Sequence, residues 1–158
     1  MNEEKIENFD EIVMEGEEIY KTFLSIRCPY LESEVHFNAQ GLEHLKFKRR
    51  GQARSRHDQY MRFRLLKLAP DVLKLSRTVQ GIWETKHFER VRVHSRTDTI
   101  LKPVIYYEFI AILNRIRIKV VVKQIDNGEK FFWSIIPFWG MNKETKKRKM
   151  HGGNPEED

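Results

Sequence analysis

Six histidines and a concentrated run of cations are the residues in this chain best suited to chemistry. Lys46, Lys48, Arg49, Arg50, Arg54 and Arg56 fall in the stretch KFKRRGQARSR with no acid among them, and His44 and His57 bracket the run. Arginine and lysine there could hold backbone phosphates, while Phe47 and Tyr60 could stack on unpaired bases. Further along, RIKVVVKQ places Arg117, Lys119 and Lys123 at alternate positions, on one face of a strand. Cleaving an RNA phosphodiester without a metal takes a base for the 2′-hydroxyl, an acid for the leaving 5′-oxygen, and cations around the phosphate. Histidine suits the first two tasks because it titrates near neutrality, and Arg and Lys suit the third. The plain alternative for each cation run is a solvated surface.

Rival chemistries find less support in the spacing. The chain has no His-x-x-x-His, no Asp-x-Asp and no glycine-rich phosphate loop, so it reads as using neither metal nor cofactor. One cysteine, Cys28, stands beside Pro29 and reads as a small buried residue rather than a nucleophile.

The elements that would position these residues follow from periodicity. Residues 5–26 carry Ile6, Phe9, Ile12, Val13, Ile19, Tyr20 and Phe23 near a helical stripe opposite an acidic face, with Gly16 weakening the centre. Cys28-Pro29 ends that helix. EVHFN at 34–38 reads as a short strand, and Asn38 caps a helical segment through Leu42, Leu45 and Phe47. The basic stretch around Gly51 reads as an exposed loop. Helical spacing returns over 55–68, and Pro70 opens a further short helix. From Gln80 the period becomes two, giving strands over 82–93, 104–113, 116–124 and 131–136. The turn Asp126-Asn127-Gly128 joins the last two. Helices followed by strands predict an α+β fold, with N-terminal helices and then a four-stranded antiparallel meander sheet. In this sheet Ile116, Ile118, Val120 and Val122 would be buried, and the face with Arg117, Lys119 and Lys123 would be wet.

The net charge of +6 conceals an asymmetry: the first twenty residues sum to −7 and the other 138 to +13. A body that basic attracts polyanions. Three regions follow: an acidic N-terminal helix at 1–30, an α+β domain at 31–139, and a basic flexible tail at 140–158. The acidic start and the lack of a long apolar run point to a cytoplasmic protein that engages no membrane. The acidic helix could lie over the cationic groove and damp its binding, or pack its stripe on the sheet.

Gly41-Leu42-Glu43-His44-Leu45 leading into the basic loop, then helices, then RIKVVVKQIDNGEKFFWSIIP, resembles the barnase–EndoU–colicin–RelE group of small ribonucleases, in its phage- and mobile-element-associated branch. The similarity covers roughly residues 35–137. It implies N-terminal helices on a four-stranded antiparallel sheet and RNA cleavage without metal, as in a toxin. By the same resemblance His44 is general base or acid, Lys123 and a loop arginine hold the phosphate, and Ser134 hydrogen-bonds it. No second histidine matches in the final strands, so His57 is the candidate partner of His44.

Two function classes follow. One is a metal-independent endoribonuclease acting on single-stranded RNA or tRNA, with an inhibitory or antitoxin protein as a further partner. The other is a non-catalytic module that binds RNA or a ribonucleoprotein, using the cations and aromatics but not His44. A third reading, an interaction protein of a mobile element, uses the same charges against an acidic protein.

Overall fold

The computed structural model describes residues 6–48, 51–93, 95–137 and 154–158, with backbone only at 89 and 91–93. Arg49, Arg50, His94, Trp139, His151 and the lysine cluster at 143–149 lie outside the described residues.

Helix α1 (Phe9–Lys21) is followed by strands β1 (Ile26–Cys28) and β2 (Ser33–His36), then by helices α2 (Ala39–His44), α3 (Arg56–Leu65) and α4 (Ala69–Leu75). A 3-10 turn at Leu66–Leu68 links α3 to α4. Strands β3 (Gly81–Val93), β4 (Arg96–Leu113), β5 (Ile116–Ile125) and β6 (Lys130–Pro137) complete the fold. The α+β expectation holds, but the sheet does not stop at four strands. Among the described residues it has six, ordered β1-β2-β6-β5-β4-β3, and it is mixed because β2 runs parallel to β6. The antiparallel run β3 to β6 is the meander read from the period-two pattern. Of the two extra strands, β2 matches the short strand read at 34–38, whereas β1, three residues long, is too short for alternation to announce it. β1 occupies residues assigned from sequence to the end of the first helix, which in fact stops at Lys21.

Side-chain alternation gives the sheet two buried faces. On the first, Phe109, Ile118, Val120, Val122, Phe132 and Ile135 meet Leu45, Phe63, Leu66, Val72 and Leu73 from the helices. Helix α1 packs against α3, with Gly16 at the crossing: a Cβ there would lie 2.5 Å from Phe63 Cδ1. Gly16 is therefore a point of close approach as well as a weak helix former. Tyr20 carries α1 into the core, and its hydroxyl donates to the Asn38 carbonyl at 2.6 Å. Ile19, placed on the apolar stripe from sequence, is exposed.

Strand β2 pairs with β6 only at Val35 and His36. Past Phe131 that side of β6 meets α2 and α3 instead of a strand. The approach is close: a Cβ on Gly41 would lie 2.3 Å from the Phe132 carbonyl oxygen. Asn38 caps α2 as expected, accepting from the Gly41 N–H at 3.2 Å. The 113–116 connection takes positive φ at both Asn114 and Arg115, the geometry that matches strand twist in a two-residue hairpin. In the 126–128 turn, by contrast, the positive φ falls on Asp126 rather than on the Asn-Gly pair. Strand β5 pairs with β4 only from Val104 onward, so β3 and β4 run beyond the sheet as a two-stranded ribbon.

Candidate phosphate-binding site

The second face of the sheet holds the chemistry, and a bulge in β6 builds it. Val121 pairs with Ser134 and Val122 with Phe132, so Trp133 is an extra residue in the ladder. The bulge lets two consecutive side chains, Trp133 and Ser134, reach the same face. Trp133 packs with Val104, Tyr106 and Val121, and Ser134 is fully buried.

This face was expected to be wet, and the structure corrects that: Lys119 is 1 % exposed and Lys123 is 8 % exposed. They are covered by Trp133 and by residues 154–158, which pack here instead of continuing a free tail. Lys123 Nζ lies 4.0 Å from the Trp133 ring centroid and 5.6 Å from that of Tyr106, within cation–π range of both. Lys119 Nζ donates to Asp158 Oδ2 at 2.6 Å and lies 3.7 Å from Glu108. Arg117, the third cation of the strand, is partly exposed.

Two arginines enter from the helical side. Ser55 caps α3, its hydroxyl accepting from the Asp58 N–H at 3.1 Å. That places Asp58 one turn before Arg62, whose Nε donates to Asp58 Oδ1 at 2.7 Å. Arg62 Nη1 donates to Ser134 Oγ at 2.5 Å and to the backbone oxygen of Asp158. Ser134 Oγ in turn donates to that same oxygen at 2.6 Å. Arg54, read from sequence as a loop cation, is buried. Its Nε donates to the His44 carbonyl at 2.8 Å, Nη2 donates to the Glu157 carbonyl at 2.8 Å, and Nη1 reaches Asp58 at 3.4 Å. The loop is folded back on itself by Phe47 bridging to Ala53, which turns Arg54 inward.

His44 sits where these groups meet. Its ring stacks on Trp133 with centroids 3.8 Å apart, and its Nε2 lies 3.0 Å from Arg54 Nη2. A guanidinium can only donate, so Nε2 accepts and the ring is neutral with its proton on Nδ1. Burial, and then the charges of Arg54, Arg62 and Lys123, push its pKa down to about 2. Desolvation and the nearby Arg62 also lower Arg54, to about 10.

The other expected site residues are dispersed. His57 is exposed in the first turn of α3 and is not among the charges acting on His44. Lys46 is paired with Glu17 of α1, which is where the acidic helix meets the basic loop. Arg56 stacks over the Phe9 ring at 4.3 Å, and Lys48 is exposed. Cys28 is buried, and burial raises its thiol pKa. A cavity of about 200 Å³ opens beside the cluster, lined by Gln40, Glu43, His44, Phe47, Lys48 and Trp133.

Sequence reasoning missed Asp58, Arg62, Trp133 and Asp158. For Arg62 a signal existed. It directly precedes Phe63 on the inward stripe of α3, with a carboxylate at i−4. The bulge that turns Trp133 and Ser134 to one face leaves no such mark.

Among the described residues no three His, Cys, Asp or Glu side chains cluster as metal ligands, and no helix is long and apolar enough to cross a membrane. The chain matches no known protein-family model, no curated protein and no solved structure.

Proposed function

We propose that the protein binds RNA by seating a backbone phosphate among Arg54, Arg62, Lys119, Lys123 and Ser134. The observation that carries this reading is the convergence of Arg62, Ser134 and Lys119 on the oxygens of one anionic residue, Asp158. Burying four cations is costly unless each is paired and hydrogen-bonded. Asp58 and Glu108 also lie against them among the described residues. A guanidinium fork, a lysine and a hydroxyl held in place also match the oxygens of a phosphate. The adjoining cavity, with Phe47 at its rim and Trp133 in its wall, suits a base stacked next to that phosphate. The resemblance to small ribonucleases implies an α+β class, which this chain has.

A second reading, metal-independent endoribonuclease activity, is supported by one observation. Two donors, Arg62 and Ser134, meet on one oxygen of Asp158 and Lys119 meets a second, an arrangement that suits the growing charge of a phosphorane. In this reading Arg54 turns from His44 Nε2 to the phosphate, that nitrogen accepts the 2′-hydroxyl proton as the 2′-oxygen attacks phosphorus, and the departing 5′-oxygen takes a proton from water. Incubation of single-stranded RNA and tRNA with excess EDTA separates the readings. Discrete fragments from the wild type, absent with His44→Ala, support cleavage. A gel shift with intact RNA for both proteins supports binding alone. No shift and no fragments with either protein would contradict both.

A further inference from the structure

Residues 154–158, Asn-Pro-Glu-Glu-Asp, make six polar contacts with the cationic face. Asp158 takes Lys119 through its carboxylate, and Arg62 and Ser134 through its backbone oxygen. The Glu157 carbonyl takes Arg54, and the Glu156 carbonyl takes the Trp133 indole N–H at 3.2 Å. The Glu156 carboxylate lies 3.2 Å from His87 Nε2. Five of the six are hydrogen bonds donated by the sheet, α3 and the loop at 46–54, so the segment lies in the site as a ligand would.

We infer that this acidic segment is a resident, displaceable ligand of the phosphate site, and that RNA binds by exchanging its phosphates for the segment's oxygens. The inference rests on the proposed RNA-binding function. Three features support exchange over permanent closure. The partners of Asp158 are those a phosphate would use. Two of the remaining contacts fall on backbone carbonyls, which any segment with the same path could supply. And the rim contact, Glu156 with His87, is partly exposed, giving an incoming strand a place to begin. A tethered competitor acts at a high effective concentration, so it lowers apparent RNA affinity without abolishing binding. Its Asp158 carboxylate also adds negative charge beside the buried Lys119.

The test uses the full chain, a fluorescein-labelled oligouridylate at low salt, and backbone amide NMR of residues 156–158. Adding RNA to the wild type should move those amide signals to the positions seen in the free peptide Asn-Pro-Glu-Glu-Asp. Asp158→Asn, which removes the charge on Lys119, should bind RNA about ten- to a hundredfold more tightly. Glu156→Gln lies at the rim, where folding depends on it little, and should give a smaller gain in the same direction. If RNA binds while the 156–158 signals stay in place and neither variant gains affinity, the inference is overturned and RNA binding itself stands. If no variant binds RNA although the spectra show a folded protein, the RNA-binding reading falls and takes the inference with it.

Discussion

Titrating the protein from about pH 7 to about pH 5 should destabilise it through His44, by an amount that follows from its surroundings. In the folded protein the ring is held neutral down to about pH 2, against an ordinary value of 6.5. In the unfolded chain the same ring takes up a proton near its ordinary value. A folded pKa depressed in this way means that the unfolded state binds more protons throughout the interval. Stability is then fully present above about pH 6.5 and falls as the pH drops through the window towards the folded value. Each pH unit inside the window costs about 1.4 kcal/mol, so the step from about pH 7 to about pH 5 removes about 2 kcal/mol. Urea unfolding of wild type and His44→Gln at the two pH values isolates this contribution, because the other titrating groups are common to both. Glutamine keeps an oxygen that can accept from Arg54 but takes up no proton. The wild type should lose about 2 kcal/mol more than the variant over the same step. Equal losses would refute the reasoning, as would a His44 ring that titrates near 6.5 in the folded protein by NMR.

Other outcomes follow from the packing. Gly41→Ala should cost about 1–3 kcal/mol in urea unfolding, since its Cβ meets the fixed Phe132 carbonyl, whereas Gly16→Ala meets a movable phenylalanine ring and should cost less. Asn38→Ala removes the cap of α2 and should cost about 1 kcal/mol by the same assay. Arg62→Met leaves Asp58 and Asp158 without their shared guanidinium and should cost about 3–5 kcal/mol, while Lys46→Ala, at a half-exposed pair, should cost under about 1 kcal/mol.

Much of the framework was legible from local pattern. The alternation of Ile118, Val120 and Val122 located β5 and the face it turns to the helices, although Ile116, expected on that buried face, is exposed, and Asn38 marked the start of α2. The candidate site was legible in its parts but not in its environment. Lys119 and Lys123 were found through their strand positions, His44 and Arg54 through the basic run, and Ser134 through the resemblance to small ribonucleases. Their burial was not foreseeable, because it depends on residues 154–158 returning to the sheet across a long separation in the chain. Alternation says which side chains share a face, but not what covers it. The pairing of Asp58 with Arg62 was visible as an i, i+4 spacing. The β6 bulge broke the period that would have separated Trp133 from Ser134.

The most direct test of the phosphate site compares two lysine substitutions in the affinity of the full-length protein for a labelled single-stranded RNA. Lys123→Met keeps the apolar stem that packs on Trp133 and removes a charge inside the cluster, whereas Lys74→Met removes an exposed charge on α4. If the buried cluster holds the phosphate, Lys123→Met weakens binding about tenfold or more and Lys74→Met changes it less than about twofold. Equal, small losses from both would mean that RNA is held by the general positive charge of the surface, and would contradict the account.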